Sequence, residues 1–275
     1  MNSLETALEW YQSGIDHEQN GDLASSRDAY LRAIELSPEN YECYYRLGCV
    51  LRKDHLFSEA ETAFQKAIDL HPDDSKSMVN LATVLDAQGK RSEAIQIYHQ
   101  AIIADEANVE AYHNLGSIYA ESGRHREAIH CYEASLAFSP DSEISLNLGK
   151  VHFQAGDIDS ALSCFDTVVT TDRTSISGFY WQGLVRMKKG MFTRALDSFN
   201  EIVSIVGMSP DTSYQRGICL QKLGRYAEAL AMYLDALDSY SEPHKVHYQL
   251  ALTYDALGKP QEASKHYALA RETGS

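Results

Sequence analysis

Residues 41–74, YECYYRLGCVLRKDHLFSEAETAFQKAIDLHPDD, decide the fold. Apolar side chains fall three and four apart through residues 41–54 and again through 58–70, the period of an amphipathic helix. The stretch therefore reads as two helices joined by a short turn. Its length recurs along the chain. Gly89, Gly123, Gly156, Gly190, Gly224 and Gly258 stand 34, 33, 34, 34 and 34 residues apart, and steps of 34 back from Gly89 reach His55 and then Gly21. A second series runs Gly14, Gly48, Ala82, Gly116, Gly149, Gly183, Gly217, Ala251. A third runs Ser26, Ala60, Ala94, Ala128, Ala161, Ala195, Ala229, Ala263. Each of its members is followed four residues later by an aromatic: Tyr30, Phe64, Tyr98, Tyr132, Phe165, Phe199, Tyr233, Tyr267.

These series predict eight helical hairpins, spanning residues 7–40, 41–74, 75–108, 109–141, 142–175, 176–209, 210–243 and 244–275. Each glycine of the first series fits a helix C-terminal cap, where the left-handed conformation favours glycine. Ser58 followed by Glu61 has the form of a capping box opening a second helix. Ser37-Pro38-Glu39, Ser139-Pro140-Asp141 and Ser209-Pro210-Asp211 read as helix starts, a hydroxyl before a proline and an acid. Gly48 and Ala60 lack bulk, so the two helices of a hairpin can approach there while Tyr44, Leu51 and Phe64 fill the space around them. One hairpin cannot bury this face alone, and neighbours must stack.

The pattern resembles the tetratricopeptide repeat (TPR), written W-x2-L-G-x2-Y, then A-x3-F, then A and P. Residues 41–74 supply Tyr44, Leu47, Gly48, Leu51, Ala60, Phe64, Ala67 and Pro72. Residues 109–142 supply Tyr112, Leu115, Gly116, Tyr119, Ala128, Tyr132, Ser135 and Pro140. The resemblance implies an all-α fold, an α-α superhelix of about sixteen antiparallel helices forming a single array over residues 7–275. It also implies a scaffold that binds a peptide segment of a partner protein in a concave groove lined by the first helices.

The departures from the pattern carry expectations of their own. In the first repeat Ser13, His17 and Ser26 replace the more usual Leu, Tyr and Ala. In the last, Arg271 stands where Ile34, Ile68, Ile102, Leu136, Val169, Val203 and Leu237 stand earlier, which suits an end repeat with a polar outer face. One residue is missing between the fourth and fifth repeats, and a small column turns bulky at Val168 and Ile202. Bulk at a close contact predicts a change of superhelical pitch around residues 140–205.

Composition excludes several functions. A net charge of −15 and a pI near 5.1 argue against nucleic-acid binding, which depends on lysine and arginine neutralising phosphates. The five cysteines form no CxxC pair and read as reduced thiols of a cytoplasmic protein. The N-terminal residues MNSLETALEWYQSG lack the pattern of a signal peptide, and no apolar run predicts membrane insertion. GxGxxG, GxxxxGK[ST], HExxH and GxSxG are all absent, so neither an enzyme nor a cofactor is expected, and no catalytic or metal-binding residue is assigned. His244 and His247 are spaced to share a metal, but the reading preferred is surface histidines. Cys49 is read as a structural thiol, because no Lys-His cluster stands beside it to lower its pKa.

Two columns of the first helices should face the groove. One is Gln12, Arg46, Asn80, Asn114, Asn147, Trp181, Gln215, Gln249, and the other is Tyr11, Tyr45, Val79, His113, Leu146, Tyr180, Tyr214, Tyr248. Amides offer donors and acceptors to any peptide backbone, and tyrosines add rigid apolar area with a polar tip. The run Asn80, Asn114, Asn147 is similar to the asparagine ladder in the TPR region of O-linked N-acetylglucosamine transferases. The same residue types also stand at these places in TPRs generally. Tyr180, Trp181, Tyr214 and Tyr248 form the densest aromatic cluster and the expected hot spot. The co-chaperone clamp that grips a chaperone's C-terminal carboxylate is not recognisable, since Tyr11 and Ile15, then Tyr45 and Cys49, occupy its places. The alternatives are a self-assembling structural protein, hence a homo-oligomer, and the targeting region of a larger enzyme such as a glycosyltransferase.

Overall fold

The computed structural model describes residues 3–237 and 239–274, the side chains of residues 3–5 excepted. Among these residues there are sixteen α-helices and no strand. They pair as antiparallel neighbours in eight hairpins and fall into two compact units, one ending at Pro140 and the other beginning at Asp141. The first unit holds α1 (Ser3–Gln19) with α2 (Leu23–Leu36), α3 (Tyr41–Lys53) with α4 (Phe57–Leu70), α5 (Ser75–Ala87) with α6 (Arg91–Ala104), and α7 (Val109–Glu121) with α8 (His125–Phe138). The second holds α9 (Ser142–Ala155) with α10 (Ile158–Thr171), α11 (Ile176–Lys188) with α12 (Phe192–Val206), α13 (Pro210–Lys222) with α14 (Tyr226–Leu237), and α15 (Pro243–Ala256) with α16 (Pro260–Glu272).

The turns inside the hairpins follow the glycine series. Gly89 sits at φ 79° just past α5, and the next amide, of Lys90, donates back to the Leu85 carbonyl at 2.9 Å. This is the Schellman closure, and a left-handed residue is its requirement. His55 makes the same turn at φ 58°, alone among the described non-glycine residues.

The helix starts are less faithful to the sequence reading. Ser58 lies inside α4, whose N-cap is Leu56 and which has no side-chain cap bond, so the capping box does not form. Ser37 and Ser139 close the preceding helices. The caps are Asn40, which accepts from the Glu42 amide at 3.1 Å, and Asp141, which accepts from the Glu143 amide at 2.7 Å. Only Ser209 caps as expected, accepting from the Thr212 amide at 3.3 Å. In the other two segments an Asx side chain stands nearer the first turn and takes the role.

The small residues make room for rings. A Cβ on Gly48 would lie 2.7 Å from Phe64 Cε1, and one on Gly183 would lie 2.6 Å from Phe199 Cζ. In the six hairpins with glycine at this place the aromatic of the second helix occupies the space a side chain would need on the first, and Phe64, Phe165, Phe199 and Tyr233 are fully buried. The bulk at Val168 is handled in the same way. A Cβ on Gly178, in the next hairpin, would come within 2.7 Å of Val168 Cγ1. The side chain at Val168, expected to spread the helices, faces a residue with none.

Candidate protein-binding faces

The aromatic column of the first helices rests on the second helix of its own hairpin. Tyr11 lies 5.9 Å from Tyr30, Tyr45 6.1 Å from Phe64 and His113 5.9 Å from Tyr132 in the first unit. In the second, Tyr180 lies 6.1 Å from Phe199, Tyr214 5.9 Å from Tyr233 and Tyr248 6.1 Å from Tyr267. Tilted and edge-on rings at this separation are packing contacts, so much of the column's regularity is structural. Where Leu146 interrupts it, Trp181 of the next hairpin stacks on Phe165 at 6.0 Å and meets Phe153 at 5.7 Å. Trp181 therefore breaks the amide column to cover a ring.

The amide column is also engaged within the chain. Asn80 Nδ2 donates to the Lys76 carbonyl at 3.0 Å, and Asn147 Oδ1 accepts from Lys150 Nζ at 3.3 Å. Asn114 stands beside the buried Tyr98, whose hydroxyl is bonded to Thr83 at 3.0 Å. One member ties the tyrosine of the preceding hairpin, Gln215 Nε2 donating to the Tyr180 hydroxyl at 3.4 Å, while Arg46 and Gln249 stand beside Tyr11 and Tyr214. In the first unit Arg46 also faces Glu18, as does Lys53, and the Tyr30 hydroxyl donates to the same carboxylate at 3.2 Å.

Exposure separates the expected hot-spot residues. Tyr214 is only 7% exposed, stacked on Tyr240 at 4.6 Å and packed on Tyr233. It is a wall of the core and not a projecting anchor. Burial, then the nearby Asp211, pushes the Tyr240 phenol up to about 12, and the same two causes raise Tyr180. Tyr248 is 50% exposed. Around it opens a pocket of about 490 Å³ lined by Tyr214, His244, Lys245, Tyr248, Gln249, Tyr267, Ala270 and Arg271. A smaller pocket in the first unit, about 230 Å³, is lined by Tyr11, Tyr41, Glu42, Tyr45, Arg46, Asp74 and Lys76. The smaller lies on first helices alone, the one at Tyr248 is shared by the first helices α13 and α15 with the second helix α16, and both contain residues chosen from the sequence.

Two features escaped the sequence reading. A larger cavity of about 1070 Å³ lies on the second helices of the first unit, α2, α4 and α6, above the buried Leu47, Leu51, Leu81 and Leu85. In the second unit Gln182 and Arg216 replace the leucine of the repeat pattern. Gln182 is 3% exposed, donates from Nε2 to Asp166 at 2.6 Å and accepts from Ser198 Oγ at 2.8 Å. Arg186 joins this network at Ser198 and Asp166. The polar residues in a leucine column were the signal for it.

Reactive chemistry finds little support in the thiols. Burial raises Cys43 and Cys131 to about 11 and Cys219 to about 12, and raises Cys49 as well. His247 pairs with His266 across the last hairpin, Nδ1 to Nδ1 3.0 Å, and not with His244. Among the described residues no helix is long and apolar enough to cross a membrane.

Models described as tetratricopeptide repeat match residues 11–75, 51–117, 109–142 and 208–273. The chain belongs to the tetratricopeptide repeat family. A model of anaphase-promoting complex subunit 3 matches residues 154–236 of this TPR chain. No curated protein sequence matches it. Among solved structures, a tetratricopeptide repeat protein from Parabacteroides merdae is similar at TM-score 0.62 and 17% identity, over 90% of this chain and 99% of its own. YrrB, described as a TPR protein with an unusual peptide-binding site, is similar at TM-score 0.58 and 20% identity, over 74% and 96%. The Cut9–Hcn1 hetero-tetramer of the APC/C is similar at TM-score 0.56 and 19% identity; 91% of the TPR chain aligns with 50% of the matched chain. These likenesses establish the fold of the TPR chain.

Proposed function

We propose that the chain is a protein-interaction scaffold whose first-helix faces bind a peptide segment of a partner. Repeat arrays present extended surfaces built from successive hairpins, which sets the general role. The observation that carries the finer reading is the half-exposed Tyr248 beside a pocket of about 490 Å³. A solvent-facing aromatic next to a concave, mixed polar and apolar recess is the arrangement of a binding anchor. Its likeness to the pocket at Tyr45 and Arg46 supports the same use in the first unit. Asn114, partly exposed on α7, adds an amide to that face.

The test is selection of displayed peptides on the immobilised chain, followed by titration of the recovered sequences. Asn114→Ala with Tyr248→Ala should weaken them at least tenfold while leaving the helical circular dichroism unchanged. Equal affinity for the double variant would overturn groove binding. Tyr214→Ala is the wrong probe, because removing a buried ring damages the fold.

The match to anaphase-promoting complex subunit 3 over residues 154–236 favours a second reading, a structural subunit of a multi-protein assembly. Sedimentation velocity across a hundredfold concentration range separates the version in which the chain assembles with itself. A constant sedimentation coefficient removes it.

A further inference from the structure

The pocket around Tyr248 differs from the rest of the surface in charge. The chain carries −15 overall, yet His244, Lys245 and Arg271 converge here, and the carboxylates nearby stand at the rim, Glu242 on Lys245 at 2.7 Å and Asp255 on the Tyr267 hydroxyl at 2.8 Å. The smaller pocket at Tyr45 is mixed, with Glu42 and Asp74 among its walls. Tyr248 and Tyr267, edge to face at 6.1 Å, add apolar ring surface.

Resting on the reading of this face as a peptide site, we propose that the pocket selects an acidic segment. It seats a side-chain carboxylate between Lys245 and Arg271 while Tyr248 covers the methylene stem. The occupant of Lys245 in the free chain is Glu242, whose Oε2 lies 2.7 Å from Nζ. This rim carboxylate holds the position that an incoming one would take, so it competes with the ligand. A protein of strongly negative charge repels acidic peptides at long range. Binding of one therefore reports a local site and not general attraction.

The experiment uses three dye-labelled, acetylated and amidated octapeptides of alternating Tyr with Glu, Gln or Lys, titrated into the full chain at low salt by fluorescence anisotropy. The Glu peptide should bind at least tenfold tighter than the Gln peptide, and the Lys peptide should not bind to this pocket. Lys245→Gln with Arg271→Gln should bring the Glu peptide down to the level of the Gln peptide. Lys222→Gln with Lys265→Gln, the same change of net charge at exposed positions, should leave it within twofold. Glu242→Gln should tighten the Glu peptide several-fold. Equal losses in both double variants, or equal binding of Glu and Gln peptides, would overturn the assignment. If the Gln peptide binds as tightly as the Glu peptide and is lost in Asn114→Ala with Tyr248→Ala, the groove reading stands and the acidic selectivity falls. If a variant fails to fold, amide chemical shifts of the unsubstituted chain decide. The Glu peptide must move those of Lys245, Tyr248 and Arg271, and their constancy overturns the proposal.

Discussion

Gly183 and Phe199 show how little room a hairpin leaves at its centre, because a Cβ on the first would sit 2.6 Å from the ring of the second. Gly183→Val should lower stability by about 1–3 kcal/mol through overpacking, read as a lower urea midpoint. Gly183→Ala should cost less, since Ala82 and Ala251 occupy the same register opposite Tyr98 and Tyr267. His55 offers the opposite case. It holds φ 58° at a turn where the other seven hairpins use glycine. His55→Gly should relieve about 1 kcal/mol of left-handed strain, and the midpoint should rise. Both positions were legible in the sequence as members of a column. What each column faces was not. The glycine column read as a place where helices approach, whereas its partner is a ring four residues beyond the alanine.

Among the elements, α15 and α16 carry a pH-dependent contact. His247 and His266 meet at 3.0 Å, and the Tyr254 ring stacks on His266 at 5.4 Å. Burial lowers the pKa of both below the usual 6.5, and His247 lowers His266 further. The unfolded chain therefore binds more protons than the folded one as pH falls through 6.5. Stability is full above that value and declines below it, until the pH is under the folded-state values. Hydrogen exchange of the α15 and α16 amides should accelerate between pH 7.5 and 5.5 beyond its intrinsic dependence, and His266→Gln should flatten that response. The helices were legible because their apolar period is strong, and their ends less so. At Ser37 and Ser139 the proline-linked hydroxyl lost to Asn40 and Asp141, which stand at the first turn. The candidate face was half legible. Columns place residues on a side of a helix, but they do not say that Tyr214 is covered by Tyr240 from a neighbouring loop while Tyr248 stays open.

For the whole molecule, the charge of −15 makes self-repulsion a property of the folded chain. Raising sodium chloride from about 20 to 300 mM shortens the screening length several-fold, so the urea midpoint should rise. Anisotropy of a labelled DNA duplex should stay flat on addition of the chain at 100 mM salt. Each hairpin depends on its neighbours, and the Val168–Gly178 contact makes that dependence specific. Excising residues 176–209, one complete repeat, would bring Val168 up against the hairpin that carries Thr212 in place of Gly178. In register Thr212 already stands behind Ile202, a bulkier member of the same column, so Val168 would leave a gap there and not a clash. Arrays of this kind lengthen and shorten by copying or dropping whole units, and at this junction such an event would leave a small void. The order of the hairpins is thus written into their side-chain volumes, since Val168 meets no side chain at Gly178 while Ile202 stands in register with Thr212.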